Sequence, residues 1–210
     1  MSETRTEYIA PATAWQLSPE LKRALIVGGT GAIGSALAIR LEELGWTVVA
    51  HGRELDLRDE QTIKEWCGAQ AGPFSLVVLL AGELRPDLWQ FKNMDEYVNA
   101  YKLHAAGPIV LLANMQKLGL LPWWAKVVFV STVGAVNSGA VDISYGMAKA
   151  ALEKAQKALA EHASWRSYLI RLDLVDTKML RQLPVDTLHG RSILSPAEAA
   201  DLILREAQIT

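Results

Sequence analysis

One cysteine, Cys67, is all that the 210 residues hold. That excludes an internal disulfide framework and any cysteine-rich zinc or iron–sulfur site, and it suits a reducing compartment, with the cytoplasm as the default expectation. Long apolar runs are missing as well. The N-terminal MSETRTEYIAPATAWQLSPELKR has no apolar core of the kind a signal peptide needs. Stretches such as Leu76 to Gly82 stop well short of the ~20 residues that span a bilayer. Neither export nor a membrane span is expected. Charge of one sign is not in excess: 21 Lys+Arg stand against 23 Asp+Glu, a formal net charge of −2. The overall field therefore favours neither nucleic acid nor an anionic membrane as a partner. Repeats at solenoid periods and low-complexity tracts are absent. His51, His104, His162 and His189 show no ligand spacing with one another or with Cys67, so no metal site is expected.

What is present is an alternation. Half of the residues are apolar, enough for one domain with a sheet and helices on both its faces. Residues 1–22 read as a loosely ordered lead-in and 23–210 as that single domain. Strand-like runs lie at Ala24–Val27, Trp46–Ala50, Ser75–Leu80, Lys126–Val130 and Tyr168–Leu172, and helical patterns fill the intervals. Gly45 closes the first helix, and Asp59 should cap the second. Asn93 with Glu96 resembles a capping box opening a long helix that Pro108 should bend. Ser195-Pro-Ala-Glu198 opens the last helix. The pattern predicts an α/β doubly wound fold with a mainly parallel sheet. Only Gly52 to Arg58 separate the second strand from its next helix, too few for a parallel crossover. An outer third strand should therefore be short, irregular or absent.

Two constellations carry chemistry. Gly28, Gly31 and Gly34 stand three apart at the first strand-to-helix junction. There, glycines let backbone approach a pyrophosphate while the helix N-terminus offers unpaired N–H groups and a favourable dipole. A glycine triplet alone also reads as a tight turn with close helix packing. Its position favours a dinucleotide loop, with Thr30 and Ile33 as further binding residues. The second is Tyr145-Gly-Met-Ala-Lys149, which places phenol and ammonium on one helix face. A phenol with an ordinary pKa of ~10 exchanges protons near neutrality only if a close cation favours the phenolate. Alone, such a pair also reads as an aromatic packed beside a solvated lysine.

The order of these pieces is more specific than any one of them. The glycine loop is followed by Leu80-Ala-Gly82, then Val130-Ser-Thr132, then YGMAK thirteen positions beyond Thr132. Over residues 23 to 205 the chain resembles the short-chain dehydrogenase/reductase family, which implies a Rossmann-like sandwich. The resemblance makes Tyr145 the acid/base toward a carbonyl oxygen and Lys149 the cation that lowers its pKa and holds the ribose hydroxyls. It puts Thr132 where the family usually has a substrate-binding serine, although strand-end packing also fits a threonine. It puts His104 where the family commonly has an asparagine of the proton relay; a histidine there serves the relay or simply packs. Ala81 and Gly82 match residues lining the cofactor ribose, Asp56 and Leu57 those receiving adenine, and Thr177 the one contacting the nicotinamide carboxamide. Leu172-Asp173 replaces the family's Pro-Gly, and a seventh strand beyond the last helix is expected to be missing.

The second strand ends in His51-Gly-Arg53, with no acid until Glu54. That favours NADP(H) over NAD(H), Arg53 facing a 2′-phosphate, unless Arg53 is merely solvated. Residues 178–194 read as a substrate lid or an ordinary surface loop. Trp89, Trp123 and Trp124 read as pocket lining or as packing beneath the sheet. The expected function is hydride transfer between a nicotinamide cofactor and a small-molecule carbonyl or alcohol. A dinucleotide-binding sensor or scaffold without turnover is the alternative. The resemblance also implies a homo-oligomer, dimer or tetramer, paired through helices at 94–118 and 143–162. Ala148, Ala151, Ala155 and Ala158 offer small residues for close helix approach.

Overall fold

Parallel strands covered on both faces must be apolar on both faces, and that requirement shapes the centre of the molecule. The computed structural model describes residues 21–85, 92–136, 143–183 and 192–209. The predicted lead-in lies almost wholly outside these residues, as does Trp89. Five strands form the central sheet: β1 (Arg23–Val27), β2 (Thr47–His51), β3 (Leu76–Leu79), β4 (Lys126–Thr132) and β5 (Arg166–Leu172). Their order is β2-β1-β3-β4-β5, and every pair is parallel. Along β1, β3 and β4 successive side chains enter opposite cores. Leu25, Val27, Val77, Leu79, Val127 and Phe129 point to one side, while Ala24, Ile26, Leu76, Val78, Val128 and Val130 point to the other.

The first core is closed by α2 (Glu60–Gly68), α4 (Gly107–Lys117) and α5 (Ile143–His162), through Ile63, Cys67, Leu111, Met115 and Leu152. The second is closed by α1 (Ala32–Glu43) and α6 (Pro196–Glu206), through Leu37, Leu41, Ala200 and Ile203. The result is the expected Rossmann-like three-layer sandwich. No strand separates β2 from α2. Instead Leu55 and Leu57, each 2% exposed, plug the connecting loop into the first core. A short parallel pair, β6 (Leu174–Val175) with β7 (Ile193–Leu194), stands apart from the main sheet. Among the described residues no strand follows α6.

Caps act where the sequence places them. Asp59 accepts the Gln61 N–H, and full capping boxes open α6 at Ser195 and α3 (Met94–Tyr101) at Asn93. The long helix does not simply bend at Pro108. Its middle turn, Lys102–Ala106, is π-helical, and α4 begins directly after it. Proline lacks an N–H and its ring crowds the carbonyl four residues back, so a widened turn relieves a clash that an unbroken α-helix would hold.

Register decides where a cavity can form. β1, β2 and β3 end level, with Val27 opposite both His51 and Leu79. Leu79 pairs with Phe129, but β4 runs on to Thr132, paired with Leu172 of β5. The extra residues stand as a wall beside the shorter strands. Because β1 is flanked by β2 on one side and β3 on the other, the loops leaving β1 and β3 part above it. A crevice opens there, at the carboxyl ends of the strands.

Candidate active site

The glycine loop forms the floor of this crevice. The N–H groups of Gly28 and Gly29 both donate to the His51 carbonyl at 2.8 Å, which ties the loop to the end of β2. Gly28 has φ +90°, a left-handed conformation that suits glycine, and a Cβ there would lie 2.6 Å from the Ala81 nitrogen. A Cβ on Gly34 would collide with the Gly28 carbonyl. Gly31 is the N-cap of α1 with no side-chain cap, and the first turn carries no acid. The helix thus presents uncompensated N–H groups and its positive pole to the crevice. A backbone pressed close where side chains cannot fit, below an uncapped helix start, fits the pyrophosphate of a dinucleotide. Thr30 is exposed on this loop and Ile33 lines the cavity beyond it.

At the end of β2, Arg53 is exposed and makes no hydrogen bond or ion pair among the described residues. Glu54 is engaged: its carboxylate accepts the Gly52 N–H at 2.6 Å and lies 3.0 Å from His51 Nδ1. The Gly52 N–H first, then its own backbone N–H and more weakly His51, hold its carboxyl below the usual range against the opposing effect of burial. Trp66 Nε1 donates to His51 Nε2 at 2.8 Å, so Nε2 is the acceptor and Nδ1–H faces Glu54. Asp56 is gripped by Arg58, whose N–H and Nε meet Oδ1 at 3.0 and 2.9 Å and whose Nη2 meets Oδ2 at 3.2 Å. Its carboxyl is accordingly lowered, with Arg58 as the main cause. Leu57 faces the core, its backbone pressed on Gly107.

A cavity of about 540 Å³ lies above the loop, with Thr132, Tyr145, Lys149 and Thr177 in its lining. Leu84, Val133, Met179, Leu180 and Leu183 give the rest of its wall an apolar character. Tyr145 is half-buried near the start of α5. Lys149, one turn on, is 4% exposed; its Nζ lies 5.8 Å from the Tyr145 ring centre and donates to the Val130 carbonyl at 2.8 Å. Burial pushes its pKa down to about 8, with Glu153 acting weakly the other way. Thr132 Oγ1 accepts the Gly134 N–H at 3.2 Å, which leaves the hydroxyl proton able to donate. Thr177 Oγ1 accepts the Leu180 N–H at 3.2 Å, so the same residue that lines the cavity also ties down the first residue of the short turn at Leu180–Gln182.

His104 is outside this cavity. It is buried on the π-turn, its Nε2 sits 2.9 Å from the Glu83 carbonyl, and its ring meets that of Tyr145 edge-on at 4.9 Å. Tyr145 and His104 share a second, much smaller crevice of about 20 Å³. Gly82 lies against this histidine: a Cβ there would stand 2.9 Å from His104 Cε1. Trp123 and Trp124 precede β4 and so lie at the opposite end of the strands; Trp123 is exposed and meets Trp124 edge-on. Of the proposed lid, residues 184–191 lie outside the described residues, and Met179, Leu180 and Leu183 form cavity wall. Sequence reasoning missed Glu83, which takes Arg58 Nη1 at 3.2 Å on its carboxylate while its carbonyl holds His104. It also missed the bond from Trp66 to His51. Neither pairing leaves a local sequence signal. Among the described residues there is no cluster of acids, histidines or cysteine fit for a metal, and no helix long and apolar enough to cross a membrane.

Similarity to known proteins follows the same geometry. The model of the NAD dependent epimerase/dehydratase family matches residues 24–175, from β1 through β6. The chain is 23% identical over 219 residues to 3-oxoacyl-(acyl-carrier-protein) reductase FabG of Aquifex aeolicus, covering 87% of this chain and 88% of that protein. A short chain dehydrogenase family protein from Francisella tularensis superposes with a TM-score of 0.78 at 19% identity, over 89% of this chain and 91% of that one. A small-chain dehydrogenase in complex with NADPH gives a TM-score of 0.78 at 20% identity, with the same coverages. The chain belongs to the NAD dependent epimerase/dehydratase family, and its fold is that of solved short-chain dehydrogenases.

Proposed function

We propose that the protein reduces a small, largely apolar carbonyl compound, with Tyr145 as proton donor and NADPH as the preferred cofactor. The observation that carries this reading is the placement of Tyr145 and Lys149 on one face of α5, lining the cavity with Thr132 and Thr177. When bound, the reduced dinucleotide supplies the hydride. Gly28, Gly31 and Gly34, with Thr30 and Ile33, would hold its pyrophosphate side, and Ala81 and Gly82 its ribose. Thr177 would meet the carboxamide, and the loop at Asp56 and Leu57 would face the adenine.

Tyr145 donates its phenolic proton to the carbonyl oxygen as that oxygen gains charge, and the Lys149 ammonium favours the phenolate left behind. Thr132 donates a second hydrogen bond to the same oxygen. The preference for NADPH rests on Arg53, which has no partner among the described residues, beside a Glu54 already engaged by Gly52 and His51. The neighbour solved with NADPH supports it. A reducing, cytoplasmic location belongs to the same reading.

The test is a panel of aldehydes, ketones and quinones assayed with NADPH and NADH, alongside Tyr145→Phe. Expected are turnover with at least one carbonyl, a higher kcat/KM with NADPH, and loss of turnover in Tyr145→Phe with cofactor affinity within about twofold of wild type. Unchanged turnover in that variant refutes the mechanism. Tight cofactor binding with no turnover across the panel would make the protein a dinucleotide sensor.

A further inference from the structure

The loop that replaces the missing strand is bolted to the support of Tyr145 at two points. At the first, Arg58 lays its guanidinium along Asp56 and reaches Glu83 Oε1 with Nη1 at 3.2 Å. Glu83 is held from both ends, since its own carbonyl takes His104 Nε2 at 2.9 Å. A carbonyl can only accept, so Nε2 carries a proton in every charge state of this ring. At the second, the Leu57 backbone occupies the space a side chain would need at Gly107, the residue following the π-turn that carries His104. His104 is thus clamped between loop and helix, and its ring is perpendicular to that of Tyr145 at 4.9 Å. Asp56 to Glu83 is a stretch of chain that the proton-donor chemistry does not itself use. Yet the links from Asp56 through Arg58 and Glu83 to His104 are directed hydrogen bonds or ion pairs, and they end on a ring packed edge-on against the phenol.

We propose that Arg58 is a positioning residue for Tyr145, acting through Glu83 and His104, so that the loop beneath the adenine end of the crevice sets the orientation of the phenol. The proposal rests on the reading of Tyr145 as proton donor. The groups around the phenol are Lys149 on its own helix, His104 on the π-turn, and Glu83, Arg85, Lys92 and Glu96 around the smaller crevice, where Arg85 Nη2 also lies 3.4 Å from Glu83 Oε1. The directed contacts from the Arg58–Glu83 pair to Tyr145 run through His104, so replacing His104 separates that route from the direct field of Glu83 across the smaller crevice. Both partners are a third or more exposed, so replacing either opens no core cavity.

The experiment compares Arg58→Gln and Glu83→Gln in the wild-type and His104→Asn backgrounds. Phenolate absorbance is titrated in each protein without cofactor, and the spectrum of the matching Tyr145→Phe protein is subtracted to isolate Tyr145. Expected in the wild-type background is a shift of the Tyr145 midpoint by about 0.5 pH unit or more, shrinking below ~0.2 when His104 is already replaced. Steady-state assays should show kcat down ~3–10-fold with cofactor KM changed less than twofold, and Arg58→Lys, which keeps the charge toward Glu83, should recover most of it. If His104→Asn does not fold, His104→Gln takes its place. Equal shifts in both backgrounds, no shift, or a loss confined to cofactor affinity would overturn the proposal. Because the titration needs no substrate, a coupled shift without turnover in wild type would sink the reductase reading and leave the coupling standing.

Discussion

Burying an ammonium group works against the fold, and Lys149 is the clearest instance at the scale of single residues. Burial holds its pKa at about 8 instead of 10.5, a difference of about 3 kcal/mol. Between those values the unfolded chain binds more protons than the folded one, so stability rises with pH across that window. Below pH 8 the penalty is present in full. Lys149→Met should therefore melt ~3–8 °C higher than wild type at pH 7, with the gain fading toward pH 10, while turnover is lost. Calorimetry across pH checks this, and a lower melting temperature at pH 7 would contradict it. Tyr145 and Lys149 were legible because they stand one helical turn apart, where sequence spacing alone fixes a shared face. Arg58 and Glu83 were not. Their pairing spans 25 positions and depends on how two loops meet above the sheet, which no local propensity encodes. Asp56 was legible as an acid at the right place, but not as one already held by its neighbour's guanidinium.

Single elements show the same division between local and remote causes. Capping boxes at Asn93 and Ser195 are local chemistry, and both formed as the spacing indicates. The Ser195 cap begins the helix that packs on α1, where Arg40 meets Asp201 at 3.0 Å. Ser195→Ala should lower stability by about 1 kcal/mol without altering cofactor affinity, measured by denaturant unfolding and by cofactor titration. A change under ~0.3 kcal/mol would show that α6 is held by packing alone. The π-turn before Pro108 was only half legible: proline forecasts a disturbance, but the choice between a kink and a widened turn is made by what packs around it. Here Leu57 against Gly107 and His104 beneath Glu83 hold the turn in place.

For the molecule as a whole, the alternation of strands and helices was enough to anticipate the layers, and the shortage of residues before Asp59 was enough to anticipate the missing strand. The surface was harder to read. The four alanines expected to face a partner copy divide: Ala148 is buried and Ala151 packs against the first core, Ala155 is half-buried, and Ala158 is exposed. The large exposed apolar side chains on these helices are Met94, Val98 and Tyr101 along one stripe of α3, and Met147 on α5. We propose that this stripe pairs copies of the chain. Light scattering should give the mass of at least two chains, and Val98→Lys with Tyr101→Lys should return it to one. A wild-type mass of one chain would refute the pairing.

The lone thiol offers one more consequence. Cys67, on the core-facing side of α2, is 2% exposed, and burial pushes its thiol up to about 11, so a thiol-specific reagent can label it only when the domain opens. The labelling rate is then a built-in clock for that opening. A dinucleotide that binds only the closed form should slow the clock by a factor of about 1 + [ligand]/Kd. Occupancy of the crevice can thus be timed with no catalysis at all, and identical rates with and without NADPH would mean that the protein does not hold it.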